Sequence, residues 1–150
     1  MKLQVGNGLK EYLQQLGNLE RTAPKAIGFA IHDGANVVYT AIKSNISTLP
    51  VGKDLTKKQK EGLMTSFGTA KARTDYGYRN VKVGFHGYND VKSAKYPNGQ
   101  PNAMIAASIE GGTSFSKKHP FVAPAVRASK GAAEEAMRRT LDAEIIKAMN

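Results

Sequence analysis

The chain contains no cysteine and no tryptophan, and only 7% of its residues are aromatic. The missing thiols exclude disulfides, thiolate zinc sites and a cysteine nucleophile. They also suit folding in a reducing compartment. With few rings available, a core must rest on Val, Ile, Leu, Ala and the tyrosines. Long hydrophobic runs are missing too. No segment approaches the ~20 apolar residues of a membrane span. The opening MKLQVGNGLKEYL has no continuous apolar stretch of the signal-peptide kind. No membrane partner is therefore expected, and the Asn45-Ile46-Ser47 sequon is read as accidental. Acidic residues are scarce, 12 against 22 basic, for a net charge of +10.

What is present is a chain of 150 residues with 41% hydrophobic content, which fits one folded domain over 1–150. The charge excess is uneven. Lys53 to Lys118 holds 12 basic and 5 acidic residues, while the first 52 residues hold 5 and 3 and the last 32 hold 5 and 4. Such a field suits nucleic acid, an acidic protein surface or plain solvation.

Periodicity outlines the elements. Leu9, Leu13 and Leu16 predict a short first helix ending at Gly17-Asn18. Thr22 and Pro24 then predict the start of a second helix, with apolar positions from Ile27 to Ile46 at helical spacing. Gly34 within it reads as a close-packing position. Ser47 to Thr56 reads as a loop, and Thr56 as the cap of a short basic helix. Arg79, Val81, Val83 and Phe85 alternate as one side of a strand approached through Tyr76-Gly77-Tyr78. His86 to Asn102 reads as a long loop or hairpin tip, and Met104 to Glu110 as a buried strand. Pro120 and Pro124 mark the start of a final helix, with Val122, Val126, Ser129, Ala133, Met137, Leu141, Ile145 and Met149 as its apolar stripe. The expected class is α+β, a small antiparallel sheet packed by a long helix from each half of the chain.

Catalytic patterns are thin. His32, His86 and His119 do not fall at metal-ligand spacing. Gly6-Asn7-Gly8 and Gly111-Gly112-Thr113 are glycine-rich but match no phosphate-binding loop, and read as turns. Glu110 is the one carboxylate between Asp90 and Glu134, so local sequence offers no carboxylate pair. No enzyme activity, cofactor or metal is expected. Tyr76, Tyr78, Phe85, Tyr88 and Tyr96 interleave with Lys71, Arg73, Arg79, Lys82, Lys92 and Lys95. That pattern leaves a second reading open, a small basic nucleic-acid-binding protein.

The segment Glu110-Gly111-Gly112-Thr113, followed by His119-Pro120-Phe121-Val122-Ala123-Pro124-Ala125, resembles a signature of the tail-completion or neck proteins of long-tailed, lambda-like bacteriophages. The loop Leu49-Pro50-Val51 and the element Gly62-Leu63-Met64-Thr65-Ser66-Phe67 match the same layout in order. Gly111 stands where that family often has an aromatic residue, and Gly87 to Gln100 has no counterpart there. The resemblance implies a structural virion protein of the head–tail junction, made in the bacterial host cytoplasm. It further implies a homo-oligomeric ring, a hexamer to match a tail tube, touching other neck and tail proteins and DNA only as passing genome. On that reading Glu110, Gly111, Gly112, Thr113, His119, Pro120, Phe121 and Pro124 form an architectural motif. Lys57, Lys58 and Lys60, with Lys92 and Lys95, are the interface candidates.

Overall fold

The computed structural model describes residues 7–150, beginning in a single helix, α1 (Asn7–Ser47). Its 41 residues span about 60 Å at 1.5 Å each. The expected break at Gly17-Asn18 and new start at Thr22 are corrected here: one helix runs through both, with Pro24 inside it and exposed. Proline removes one i→i−4 hydrogen bond, and at an exposed position water can take the freed carbonyl. Thr22 does not cap. Its hydroxyl donates back to the carbonyls of Asn18 (2.9 Å) and Leu19 (3.3 Å), the bond a threonine makes inside a helix. Of the expected turn at 6–8, Gly6 lies outside the described residues, and Asn7 and Gly8 already belong to α1.

What keeps α1 continuous is a long partner, α4 (Val122–Met149), which runs antiparallel beside it. Gln15 bonds the carbonyl of Met149 at one end, and the Asn45 amide donates to the carbonyl of Phe121 (3.0 Å) at the other. Small residues line the seam: Ala26, Ala30 and Gly34 of α1, and Ser129 and Ala133 of α4, are buried. A Cβ on Gly34 would sit 2.6 Å from Met137 Cγ, so glycine here is the close-packing position expected of it.

After the Ser47–Thr56 loop comes α2 (Lys57–Ser66), opened by a capping box. Gln59 N donates to Thr56 Oγ1 (3.2 Å), and Thr56 N donates to Gln59 Oε1 (3.0 Å). Four short strands follow: β1 (Phe67–Thr69), β2 (Arg73–Asp75), β3 (Tyr78–Asn80) and β4 (Val83–Phe85). β1 pairs antiparallel with β4, Phe67 opposite Phe85, and β2 with β3, Arg73 opposite Asn80. The two pairs are successive parts of one ribbon. Residues 70–72 on the outgoing side face 81–82 on the return, so the register slips by one, as at a bulge. The single strand expected over Arg79–Phe85 is thereby split at Val81-Lys82. Tyr76 (φ 52°) and Gly77 (φ 82°) close the ribbon, both at the positive φ a type I′ turn needs.

The strand expected at Met104–Glu110 is instead α3 (Asn102–Gly111). A short apolar run does not by itself separate a buried strand from a buried helix. Here three alanines favour the helix, and Ile105 and Ile109, one turn apart, both reach the core. The final helix starts where Pro120 and Pro124 place it and runs unbroken through Gly131. The architecture is therefore α+β, with four helices around two small antiparallel strand pairs among the described residues.

The core sits where α1, α2, α3 and the start of α4 meet β1 and β4. Stacked rings cross it. Tyr39 lies parallel to Phe67 at 5.0 Å, Phe67 lies 4.9 Å from Phe85, and Phe85 meets Phe121 edge-on at 6.1 Å. Ile46, Leu55, Leu63 and Phe121 are fully enclosed.

Candidate functional site

The segment from Glu110 to Pro124 forms a joint between two helices. Gly112 caps α3: its N–H bonds Ser108 O at 2.8 Å, and its φ of 74° turns the chain out of the helix. A Cβ there would lie 2.9 Å from the backbone nitrogen of Lys118. The turn read at Gly111-Gly112-Thr113 begins one residue late: Gly111 keeps helical geometry as the last residue of α3, and of the two glycines Gly112 alone has a positive φ. Thr113 then organises a tight turn: its Oγ1 accepts from the N–H groups of Phe115 (3.1 Å) and Ser116 (3.0 Å). His119 N donates to Ile109 O at 2.7 Å, and its ring lies 3.3 Å from the carboxylate of Asp54. Phe121 is 1% exposed.

The central group is the Glu110 carboxylate. Oε2 accepts from the backbone N–H groups of Phe121 (2.7 Å) and Val122 (2.8 Å), and Oε1 from Ala123 (2.9 Å). The first four N–H groups of a helix lack intrahelical partners. At α4 three of them are taken by Glu110, and the fourth position is Pro124, which has none to offer. Burial works against ionisation of Glu110. The three N–H bonds and the nearby Arg127 outweigh it and hold the carboxyl below its usual pKa. A negative charge also suits the positive end of the helix dipole.

Beside this joint lies a shallow groove of about 450 Å³, lined by Ala106, Ala107, Glu110, Val122, Ala123, Val126 and Arg127. It offers one carboxylate and one guanidinium over an apolar floor. Among the described residues no cluster of three or more His, Cys, Asp or Glu side chains is arranged to hold a metal.

The interface candidates divide. Lys57 and Lys58 are exposed on α2. Lys60 is engaged within the fold, donating from Nζ to the carbonyls of Ser47 and Leu49, both at 2.8 Å. It closes the C-terminal end of α1, where a cation is favoured. Lys57 and Lys60 border a groove of about 490 Å³ shared with Val51, Glu61, Met64 and Thr65. Lys92 and Lys95 are exposed on the long loop, with Lys95 Nζ 5.7 Å from the Tyr96 ring. The structure joins that loop to α2 at its root. Buried Asn89 donates from its amide to Lys58 O (3.3 Å), and its own N–H bonds Gln100 O (2.6 Å) across the loop's neck. Asn102 N bonds Gly87 O at 3.0 Å one step further in. Of the expected long loop or hairpin tip, the structure has the loop, tied shut at its base.

Sequence reasoning missed the roles of Glu110, Asn45 and Lys60. Each was visible as a polar residue near a helix end, but the end it serves lies elsewhere in the chain. No family model, curated protein sequence or solved structure matches this chain. Among the described residues no helix is long and apolar enough to cross a membrane.

Proposed function

We propose that this chain is a structural protein of the phage head–tail junction, acting as a subunit of a neck or tail-completion ring. The observation that carries the reading is the Glu110–Ala125 segment. It is the stretch that resembles the neck-protein signature, and each conspicuous residue in it has a structural task. Glu110 caps α4, Gly112 reverses the chain, Thr113 holds the turn and Phe121 anchors the core. A motif used this way fits a protein that works by shape.

A ring subunit needs separate surfaces for its neighbours and for the layers above and below. The chain's exposed groups are the candidates for them. Lys57 and Lys58 lie on one helix, Lys92 and Lys95 on a tied loop, and Phe115 stands 89% exposed on the turn before α4. A reconstruction of the parent virion tests the reading. The expected result is a closed ring of this chain, of six copies to match the tail tube, at the neck or upper tail. Virions whose neck contains no copy would overturn it. The free chain staying monomeric would not, because such a ring can form on the layer beneath it.

A further inference from the structure

We infer that the outer part of the ribbon, Ala70 to Lys82, is an arm that contacts the phosphate backbone of duplex DNA. The inference goes beyond ring assembly and stands or falls without it. Lys71, Arg73, Arg79 and Lys82 are all exposed on this arm, against a single carboxylate, Asp75. The cations occupy both sides, with Lys71 and Arg73 outgoing and Lys82 returning. A two-stranded antiparallel ribbon is narrow enough to enter a DNA major groove about 12 Å wide. Cations on both of its sides then face the two phosphate walls.

A lone two-stranded ribbon is marginal in water, but this one is braced. Arg79 Nη1 donates to Thr74 Oγ1 (3.2 Å), and its Nη2 comes within 3.1 Å of where a Cβ on Gly28 of α1 would be. Asn80 donates to Asp75 at 3.0 Å, and Ala70 N bonds Lys82 O (2.8 Å) at the root. The Arg79 guanidinium lies against α1 beside Gly28, so Lys71, Arg73 and Lys82 are taken as the cations of the contact. At the tip, Tyr76 is 100% exposed and held at φ 52°, uncommon for a residue with a side chain. No ring contact within the chain accounts for it among the described residues. A tyrosine hydroxyl at the tip is a suitable phosphate donor. One tip ring does not make the series of stacking platforms that single strands need, so duplex is the favoured form.

Asp75 supplies an internal control. It lies in the fields of Arg73 and Lys82 and opposes phosphate. The test is fluorescence anisotropy of a labelled duplex with the full-length chain across a salt series. Three phosphate contacts give a log–log salt slope of about −2.7, at about −0.9 each. The triple variant K71Q/R73Q/K82Q is expected to bring the slope above about −1 and to weaken low-salt binding at least about tenfold, with circular dichroism unchanged. Asp75→Asn is expected to tighten binding, and this gain of function remains readable should the triple variant fail to fold. Lys92→Gln with Lys95→Gln is expected to leave the slope unchanged. The proposal is overturned by no duplex binding, by wild-type binding in a folded triple variant, or by no tightening in Asp75→Asn. An equal loss in the Lys92/Lys95 variant would also overturn it, as generic charge. So would arm-dependent capture of polyglutamate as strong as that of DNA, which would mark an acidic-protein surface.

Discussion

The Glu110 carboxylate and the Phe121 backbone nitrogen, eleven residues apart, meet at 2.7 Å. That bond joins the end of one helix to the start of another, and it sets Phe121 into the core as it does so. Cap and core anchor are adjacent parts of one joint.

Removing the carboxylate should therefore loosen α4 at its first turn. Glu110→Ala is expected to cost about 1–2 kcal/mol, the upper range for loss of an N-cap. Glu110→Gln should cost less but not nothing, since its single carbonyl oxygen cannot serve all three donors. Acid should act through the same group. Its folded pKa lies below the ordinary glutamate value of 4.5, so its contribution is complete above that value and is lost as pH falls through the depressed one. Urea melts from neutral pH downward check this. Wild type should lose more stability across the acid range than Glu110→Gln, and parallel curves for the two would refute the assignment.

Phe121 is enclosed between Phe85 and the helices, and truncation leaves a hole the size of a ring. Phe121→Ala is expected to cost about 3–5 kcal/mol, read as a large drop in melting temperature. A variant that melts like wild type would show that the ring contributes little to the monomer, and would move it to an assembly surface instead.

Local signals were the legible ones. Thr56, and Pro120 before Phe121, act on helix starts within a few residues of themselves, and the structure keeps both. Two boundaries were misread because the deciding partner is remote. Gly17, Thr22 and Pro24 spell a break, yet α4 lies along the helix and holds it continuous. Met104 to Glu110 is short and apolar, and only its neighbours settle that it is a helix. The cap formed by Glu110 follows the same rule. An acid near a proline-led helix start is a reasonable signal, but the reach across Thr113 to His119 depends on the turn that Gly112 and Thr113 make. The ribbon's alternation was readable, whereas its one-residue slip was not, because Ala70-Lys71-Ala72, where the extra residue sits, carries no glycine to mark a bulge.

Gly34 tests the seam between the long helices. A Cβ there meets the flexible Met137 side chain, which can swing aside, and alanine gains up to about 1 kcal/mol in helix propensity. Gly34→Ala should thus change stability by less than about 1 kcal/mol. Gly34→Leu adds bulk that cannot avoid the neighbouring helix, where the Ala133 carbonyl already lies 3.4 Å from the added Cβ. It should destabilise by about 1–3 kcal/mol. Equal stability of the two variants in thermal melts would mean that the helices are not closely apposed at this point.

The lysines of the tied loop address assembly. Lys92 and Lys95 are exposed, away from the hydrogen bonds that close the loop's base, so reversing their charge should leave the fold intact. If they face a neighbouring subunit or an acidic virion protein, Lys92→Glu with Lys95→Glu should reduce particle assembly strongly. Duplex binding should change little, because each phosphate contact adds nearly one unit to the salt slope and a conduit lined with many would grip a genome that must slide. A few cations on the ribbon arm are compatible with sliding, but a dense ring of them is not. The two readouts separate the surfaces. Lost assembly with unchanged, weak DNA binding places the loop at a protein interface. Intact assembly with abolished, tight DNA binding would refute that placement and favour a nucleic-acid-binding protein whose main contact is the loop.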